Sequence, residues 1–347
     1  MRTDQNEMRA VVLAAPGGPE VLHLVAVEKP RVGPRDVLLR VSACGVCGQD
    51  RAVREGLVKV DLPCVIGHEI SGVVEHVGAG VDDFRVGDRV ACKQFSTCGR
   101  CRACRSGRDT ECPYRKHVYG GYAEYAVIPQ DALLAVPDSV GLTEASIVSC
   151  AVGSVLQALT EVAQIASGEY VAVTGAGGGL GVHAIQVAAA FHARPIALTT
   201  SPAKAALLRK FGAYAVLDPS SEDFSAAMAD TTEGQGPHVV LDNVGNAATF
   251  DACFRALRRH GRYVFTGQLF KERISLYPAF VFHKEAVITG SASTTMSSFM
   301  AAMELVERKI IRPVVTPFPL DRAADIHKGE SDREICGRAV LLASELT

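Results

Sequence analysis

The sequence predicts an α/β protein built from a small β-barrel and a doubly wound parallel sheet. Three observations carry this prediction. Residues 8–42 and 65–92 read as short apolar runs cut by turn residues, without intervening helical periods. From Tyr170 onward, buried strand runs alternate with helical patterns. Between the first such strand and the first such helix stands a run of glycines, Gly175 to Gly181.

The barrel strands come first. MRAVVLAA and DVLLRVSA alternate or run apolar, and PGGPE and KPRVGPR break them. HEISGVVEHVG and DRVACKQ follow, joined by GAGVDDFRVGD, and GGYAEYAVIP (120–129) adds another strand. Helical spacing starts near Thr143 and runs to Ala163. Strands are then expected at Tyr170–Thr174, Ile196–Thr199, Ala215–Leu217, His238–Asp242 and Gly261–Gly267, with helices at Val182–Phe191, Pro202–Phe211 and Ala247–Arg258. Residues 286–291 close this sheet, and the remainder, ending in GRAVLL, returns to the first part. The expected domains are 1–151 with 292–347, and 152–291.

Composition bounds the function. With 347 residues, 48% apolar and 21% charged, the chain has the balance of a globular enzyme. A formal net charge of −2 offers no general attraction to nucleic acid or anionic membrane, so neither is an expected partner. No apolar run approaches the ~20 residues of a membrane span. The polar start MRTDQNE lacks a signal-peptide core, and Met8 is a candidate functional start. Eleven cysteines without a secretion signal point to a reducing cytoplasm, with thiols bound to metal or buried.

Four of those cysteines cluster. Cys98, Cys101, Cys104 and Cys112 follow C-x2-C-x2-C-x7-C. Four thiolates close a tetrahedral Zn²⁺ site with no open position, which makes it structural. Disulfides or buried free thiols are the plainer readings. Arg100, Arg102, Arg105 and Arg108 interleave with these cysteines, either as a solvated face or as a surface for an anionic substrate or a partner.

The glycine run is a dinucleotide-binding candidate. Gly175, Gly177, Gly178, Gly179, Leu180 and Gly181 form a turn after a strand and before a helix. Such a turn lets backbone approach a pyrophosphate at a helix N-terminus. An NAD site usually places a carboxylate at the end of the next strand. Here Thr199, Thr200 and Ser201 stand there, followed by Lys204, so hydroxyls and an ammonium can take a 2′-phosphate. NADP(H) is therefore expected in preference to NAD(H).

The order of motifs resembles the zinc-dependent medium-chain alcohol dehydrogenases and reductases, including an NADPH-linked enoyl (acryloyl-CoA type) reductase branch. GVC (45–47), GHE (67–69), the four-cysteine lobe, Cys150 in SCAVGS, the glycine-rich turn and the terminal GRAVL occur in that family's order, from about Met8 to Leu342. The resemblance implies a GroES-like catalytic domain and a Rossmann domain. It implies catalytic zinc ligands at Cys47, His68 and Cys150, which lie 21 and 82 residues apart and suggest nothing by spacing. It makes Asp50 the carboxylate that orients the ligand histidine and Glu69 a transient ligand or neighbour. Arg338, in GRAVL, matches an arginine near the cofactor phosphates; a solvated or salt-bridged arginine is the competing reading. Cys44 would be a packed neighbour of the ligand Cys47. The resemblance also implies two zinc ions per chain, a small-molecule substrate and a homodimer or homotetramer built through the Rossmann domains. Leu57, Val58, Phe95 and Phe270 are candidates for the substrate pocket.

The chain departs from the family at two places. Where a Ser or Thr usually passes the alcohol proton onward stands Gln49, and where the shuttle His usually stands is Ala52. An amide does not ionise, so it is a poor relay. The leading expectation is hydride transfer between nicotinamide and a carbonyl or alcohol, with water in place of the relay. The alternative is 1,4-reduction of the C=C of an α,β-unsaturated carbonyl or enoyl thioester, which is also suggested by GVHAIQVAAAFHARPIALTTSPAK and GSASTT.

Overall fold

The computed structural model describes residues 6–268, 272–329 and 335–343. Phe270 lies outside them. The chain divides into two compact units. Met1–Cys150, Ser293–Arg308 and Val315–Thr347 form one; Ala151–Ala292 and Lys309–Val314 form the other.

The first unit is a mainly antiparallel β-structure. Strand Asp36–Gly45 lies at its centre, pairing with Glu69–Val77, Tyr125–Pro129 and Arg338–Leu342. Its side chains alternate as a half-buried strand requires: Val37, Leu39 and Val41 point into the core while Arg40 faces out. A smaller sheet orders Leu22–Glu28, Glu7–Leu13 and Cys64–Val65. Among the elements here that lay outside the sequence reading are the short helix Gly48–Arg54 and the helix Met296–Glu307, which buries Phe299, Ala302, Met303 and Val306.

The second unit is a parallel six-stranded sheet among the described residues. Its order is Ala215–Leu217, Arg194–Leu198, Tyr170–Val173, Val239–Asp242, Arg262–Phe265 and Val287–Gly290. Strands Tyr170–Val173 and Val239–Asp242 are buried at every residue, as strands with both faces covered must be. The chain winds outward from Tyr170–Val173 and then returns to its other side, so the direction of winding reverses there. Ligands of such sheets bind in the crevice beyond the strand ends at that point. The helix Phe224–Thr231 was not foreseen, because Phe224 and Met228 are its only buried apolar residues and one repeat is no period.

The helical stretch expected from Thr143 is not a uniform α-helix. Leu142–Ser146 is α-helical, but Val148–Gly153 and Ala158–Val162 are wound with the wider π pattern around a short α segment. Single wide turns of this kind collect at functional sites, and Cys150 sits in the first of them. Among the described residues no helix is long and apolar enough to cross a membrane.

Candidate functional site

Sheet register gathers the first cluster. Gly45 pairs with Glu69 on one side and with Val340 on the other. The chain leaving at Val46, the chain arriving through His68 and the strand beginning at Arg338 therefore converge. Helix Leu142–Ser146 lies across the same strands, tied by the Ser71 hydroxyl to the Leu142 carbonyl at 2.5 Å, and it delivers Cys150. As a result the ligand atoms of Cys47, His68, Glu69 and Cys150 all lie within 4.8 Å of one another. The Cys47 and Cys150 sulfurs are 3.9 Å apart. Gly67, at φ +91°, makes the bend before His68, and a side chain there would overlap the Tyr122 ring.

The electrostatics suit a cation. Cys47 is held well below the usual thiol range by the hydrogen bond from Cys150, against burial and with help from Arg338. Burial works against charge on His68, but Asp50 and Cys47 outweigh it. Asp50 is fully buried and takes three contacts: His68 Nδ1 at 2.9 Å, the Cys47 N–H at 2.9 Å and the Tyr122 hydroxyl at 3.3 Å. With Nδ1 committed to Asp50, His68 presents Nε2 to the cluster. Burial pushes the Glu69 carboxyl up to about 7, with Arg338 opposing. Both Glu69 oxygens lack an aligned hydrogen-bond donor; the Arg338 guanidinium stands 3.0 Å from one of them as an ion pair. Two thiols, an imidazole and an under-satisfied carboxylate fit Zn²⁺, with three or four protein ligands.

The second cluster is local in sequence. Cys98 and Cys104 sulfurs are 4.0 Å apart, Cys101 and Cys104 3.5 Å, and Cys98 and Cys112 3.7 Å. Four sulfurs at about 2.3 Å from one ion have tetrahedral edges of about 3.8 Å, so these residues fit a closed four-thiolate zinc. Backbone N–H groups of Arg100 and Cys101 draw the Cys98 thiol down to about 6.

In the second unit, the glycine-rich turn leaves strand Tyr170–Val173 and enters helix Gly181–Ala190. Backbone atoms of Gly175 and Ala176 press on Gly181, and the Lys204 side chain lies over Gly177. Thr199, Thr200 and Ser201 follow strand Arg194–Leu198, and the Thr199 hydroxyl accepts the Ser201 N–H at 3.1 Å. The turn, the strand end and the helix N-terminus together could hold a dinucleotide.

An alcohol dehydrogenase GroES-like domain matches residues 33–138, and a zinc-binding dehydrogenase domain matches residues 179–308. Acryloyl-coenzyme A reductase of Sulfurisphaera tokodaii is 30% identical over 96% of this chain and 99% of its own. The chain belongs to the zinc-binding medium-chain dehydrogenases and reductases. An alcohol dehydrogenase of Geobacillus stearothermophilus is 34% identical over 92% of this chain and 96% of its own. The crystal structure of an NAD-dependent alcohol dehydrogenase superposes with a TM-score of 0.91 at 33% identity, covering 97% of this chain and all of that one. Members of this family are pyridine-nucleotide oxidoreductases, and this chain is an oxidoreductase of that kind.

Against the family frame, two residues are placed in ways that matter for chemistry. Arg338 is 7% exposed, paired with Glu69 and donating to the Val46 carbonyl at 3.4 Å, so it stands beside the Cys47–His68–Glu69–Cys150 group that could hold a metal. Gln49, on helix Gly48–Arg54, sits beside the half-buried Tyr119 phenol, which burial pushes up against the influence of that amide. Sequence reasoning missed Tyr119, Tyr122 and His327. Tyr122 lies in GGYAEY and carries no metal or catalytic spacing; its contact to Asp50 spans 72 residues.

Proposed function

We propose that this dehydrogenase reduces the carbon–carbon double bond of an α,β-unsaturated carbonyl compound, an enoyl thioester foremost, using NADPH and a zinc ion at Cys47, His68 and Cys150. The observation that carries the reading is that helix Gly48–Arg54 offers no ionisable side chain at Gln49 or Ala52 to relay a proton away from the cluster. The side chain that follows the ligand cysteine toward solvent is an amide, and Ala52 one turn on is inert. When bound, zinc polarises the substrate carbonyl and NADPH supplies the hydride. Asp50 fixes the tautomer and angle of His68, and Arg338 pairs with Glu69 and opposes the burial that favours its protonated form. Gln49 can donate a hydrogen bond to a carbonyl oxygen without carrying its proton away. In conjugate reduction the hydride pair goes to the β carbon, the π bond is lost, and a solvent proton goes to the α carbon. No proton has to pass along the metal side, so a chain without that relay loses nothing.

Reduction of a carbonyl to an alcohol, the first choice from sequence, is the second reading. It is favoured by Tyr119, whose protonated phenol beside Gln49 offers a substitute donor. Thr199, Thr200, Ser201 and Lys204 support NADPH over NADH, although relatives include NAD-dependent enzymes. Two fitting clusters support two zinc ions per chain. The exposed edge strand Val287–Gly290 supports a homo-oligomer.

The test is product analysis with 4-deuterated NADPH and a panel of enals, enoyl thioesters, aldehydes and ketones. Deuterium on a β carbon is expected. Deuterium on a carbinol carbon overturns the first reading in favour of the second.

A further inference from the structure

The four-cysteine lobe carries more positive charge than its metal needs. Between residues 100 and 116 stand six cationic side chains, Arg100, Arg102, Arg105, Arg108, Arg115 and Lys116, against two carboxylates. All six are exposed. Of the carboxylates, Asp109 is buried and committed to Lys93 and to the Met296 N–H. Glu111 stands 3.7 Å from Arg108. A zinc ion on four thiolates has a formal charge of −2, which balances two more cations. About three remain on a chain whose total charge is −2. No carboxylate of the described residues lies within ion-pair distance of Arg100, Arg102 or Arg105.

A wall of rings runs from this face to the other cluster. Arg115 lies over Phe95 at 4.9 Å, and Phe95 contacts His117 at 4.2 Å across the paired strands Phe95–Ser96 and Lys116–His117. His117 stacks on Tyr119 at 5.6 Å with 12° between planes. Tyr119 meets His68 edge-on at 6.4 Å. A cationic surface, a run of ring contacts in which Phe95 is buried, Tyr119 half-buried and His117 exposed, and the candidate metal ligand His68 thus follow one another within a single unit.

We propose that the basic face of the four-cysteine lobe binds the phosphates of the substrate's carrier, so that the substrate is a coenzyme A thioester whose arm runs along the ring wall to the metal cluster. This rests on the conjugate-reduction reading and specifies the handle of its substrate. Several phosphates on a long arm match the chemistry of the face: guanidinium groups for the anionic end, rings for the arm, metal for the thioester carbonyl.

The experiment compares a coenzyme A thioester with the N-acetylcysteamine thioester of the same enoyl acid, on zinc-loaded enzyme and on an R102Q/R105Q variant. Both substituted side chains are exposed and outside both metal clusters. The variant is expected to raise KM for the coenzyme A thioester about tenfold and to leave kcat and the kinetics of the truncated thioester unchanged. The wild-type KM for the longer substrate also rises with salt. Equal KM for the two thioesters in the wild type, or an unchanged KM in the variant, overturns the proposal. If neither thioester is reduced, the conjugate-reduction reading fails. Calorimetric titration of 3′-phosphoadenosine 5′-diphosphate into NADPH-saturated enzyme then decides the docking face by itself: binding lost in the variant supports it, and no binding overturns it.

Discussion

The Tyr122 hydroxyl lies 3.0 Å from His327 Nε2 while also reaching Asp50 Oδ2 at 3.3 Å. All three residues are buried, and Asp50 in turn holds His68. A four-residue chain therefore braces a metal-ligand candidate from a helix far along the sequence, Ala323–His327. Groups behind a ligand histidine fix its ring and its basicity, and their loss typically costs ten- to a hundredfold in metal affinity. Tyr122→Phe keeps the ring that packs on Gly67 and removes only the hydroxyl. The expected outcome is metal at the Cys47 cluster bound about tenfold more weakly in chelator competition. The four-cysteine ion should be retained unchanged.

Cys47→Ser separates the two metal centres. It replaces one ligand of the first cluster and touches nothing in residues 98–112. Metal content by mass spectrometry should fall from about two to about one per chain. A fall to none would mean that the two sites are not independent.

What was legible in the sequence follows the range of the interactions. The four-cysteine lobe and the glycine-rich turn are local, so spacing alone announces them. Cys47, His68 and Cys150 come together only because Gly45 is paired between Glu69 and Val340, and because a helix crosses those strands. Register is a property of the folded sheet, and only the resemblance to a known motif order stood in for it. The chain Asp50–Tyr122–His327 was illegible for the same reason, its last contact spanning 205 residues. The π-wound turn at Cys150 was read as ordinary helix because one extra residue in a turn barely disturbs an apolar period.

The dinucleotide turn makes a graded prediction. A methyl group at Gly181 would overlap the Gly175 carbonyl and Ala176 Cα, backbone atoms that cannot move without opening the turn. At Gly177 it would meet only side-chain atoms of Lys204, Cδ, Cβ and Cε, which can rotate away. Gly181→Ala should abolish NADPH binding by fluorescence titration, and Gly177→Ala should weaken it modestly. Thr199→Asp puts a carboxylate where a 2′-phosphate is expected and should cost NADPH at least about tenfold in kcat/KM, with NADH spared.

Asp109 anchors the four-cysteine lobe. It accepts from the buried Lys93 ammonium and from the Met296 N–H at the start of helix Met296–Glu307. Asp109→Ala leaves Lys93, 1% exposed, without its partner. Removing one member of a buried pair costs about 3–5 kcal/mol. Replacing both, as Asp109→Leu with Lys93→Met, should recover much of that loss. Urea unfolding of the zinc-loaded protein measures the difference, and equal stability of the single and double variants would show that the pair is not energetically coupled.

The edge strand Val287–Gly290 bears on assembly. It is the outermost strand of the parallel sheet and pairs only with Arg262–Phe265 among the described residues. Val287 on it is 53% exposed, and the preceding helix leaves Phe282 64% exposed. A free edge with apolar side chains is a template for another strand, and in a monomer it would promote aggregation. A second copy pairing edge to edge would cover both the open backbone groups and these side chains. Val287→Lys places a charge in the middle of that contact, where it has water in the monomer and none in the dimer. Light scattering should therefore show a wild-type oligomer and a Val287→Lys protein of lower mass. Circular dichroism of the two should be unchanged, because the substituted side chain points away from the unit's own core. An oligomer of full mass in the variant would move the interface away from this edge.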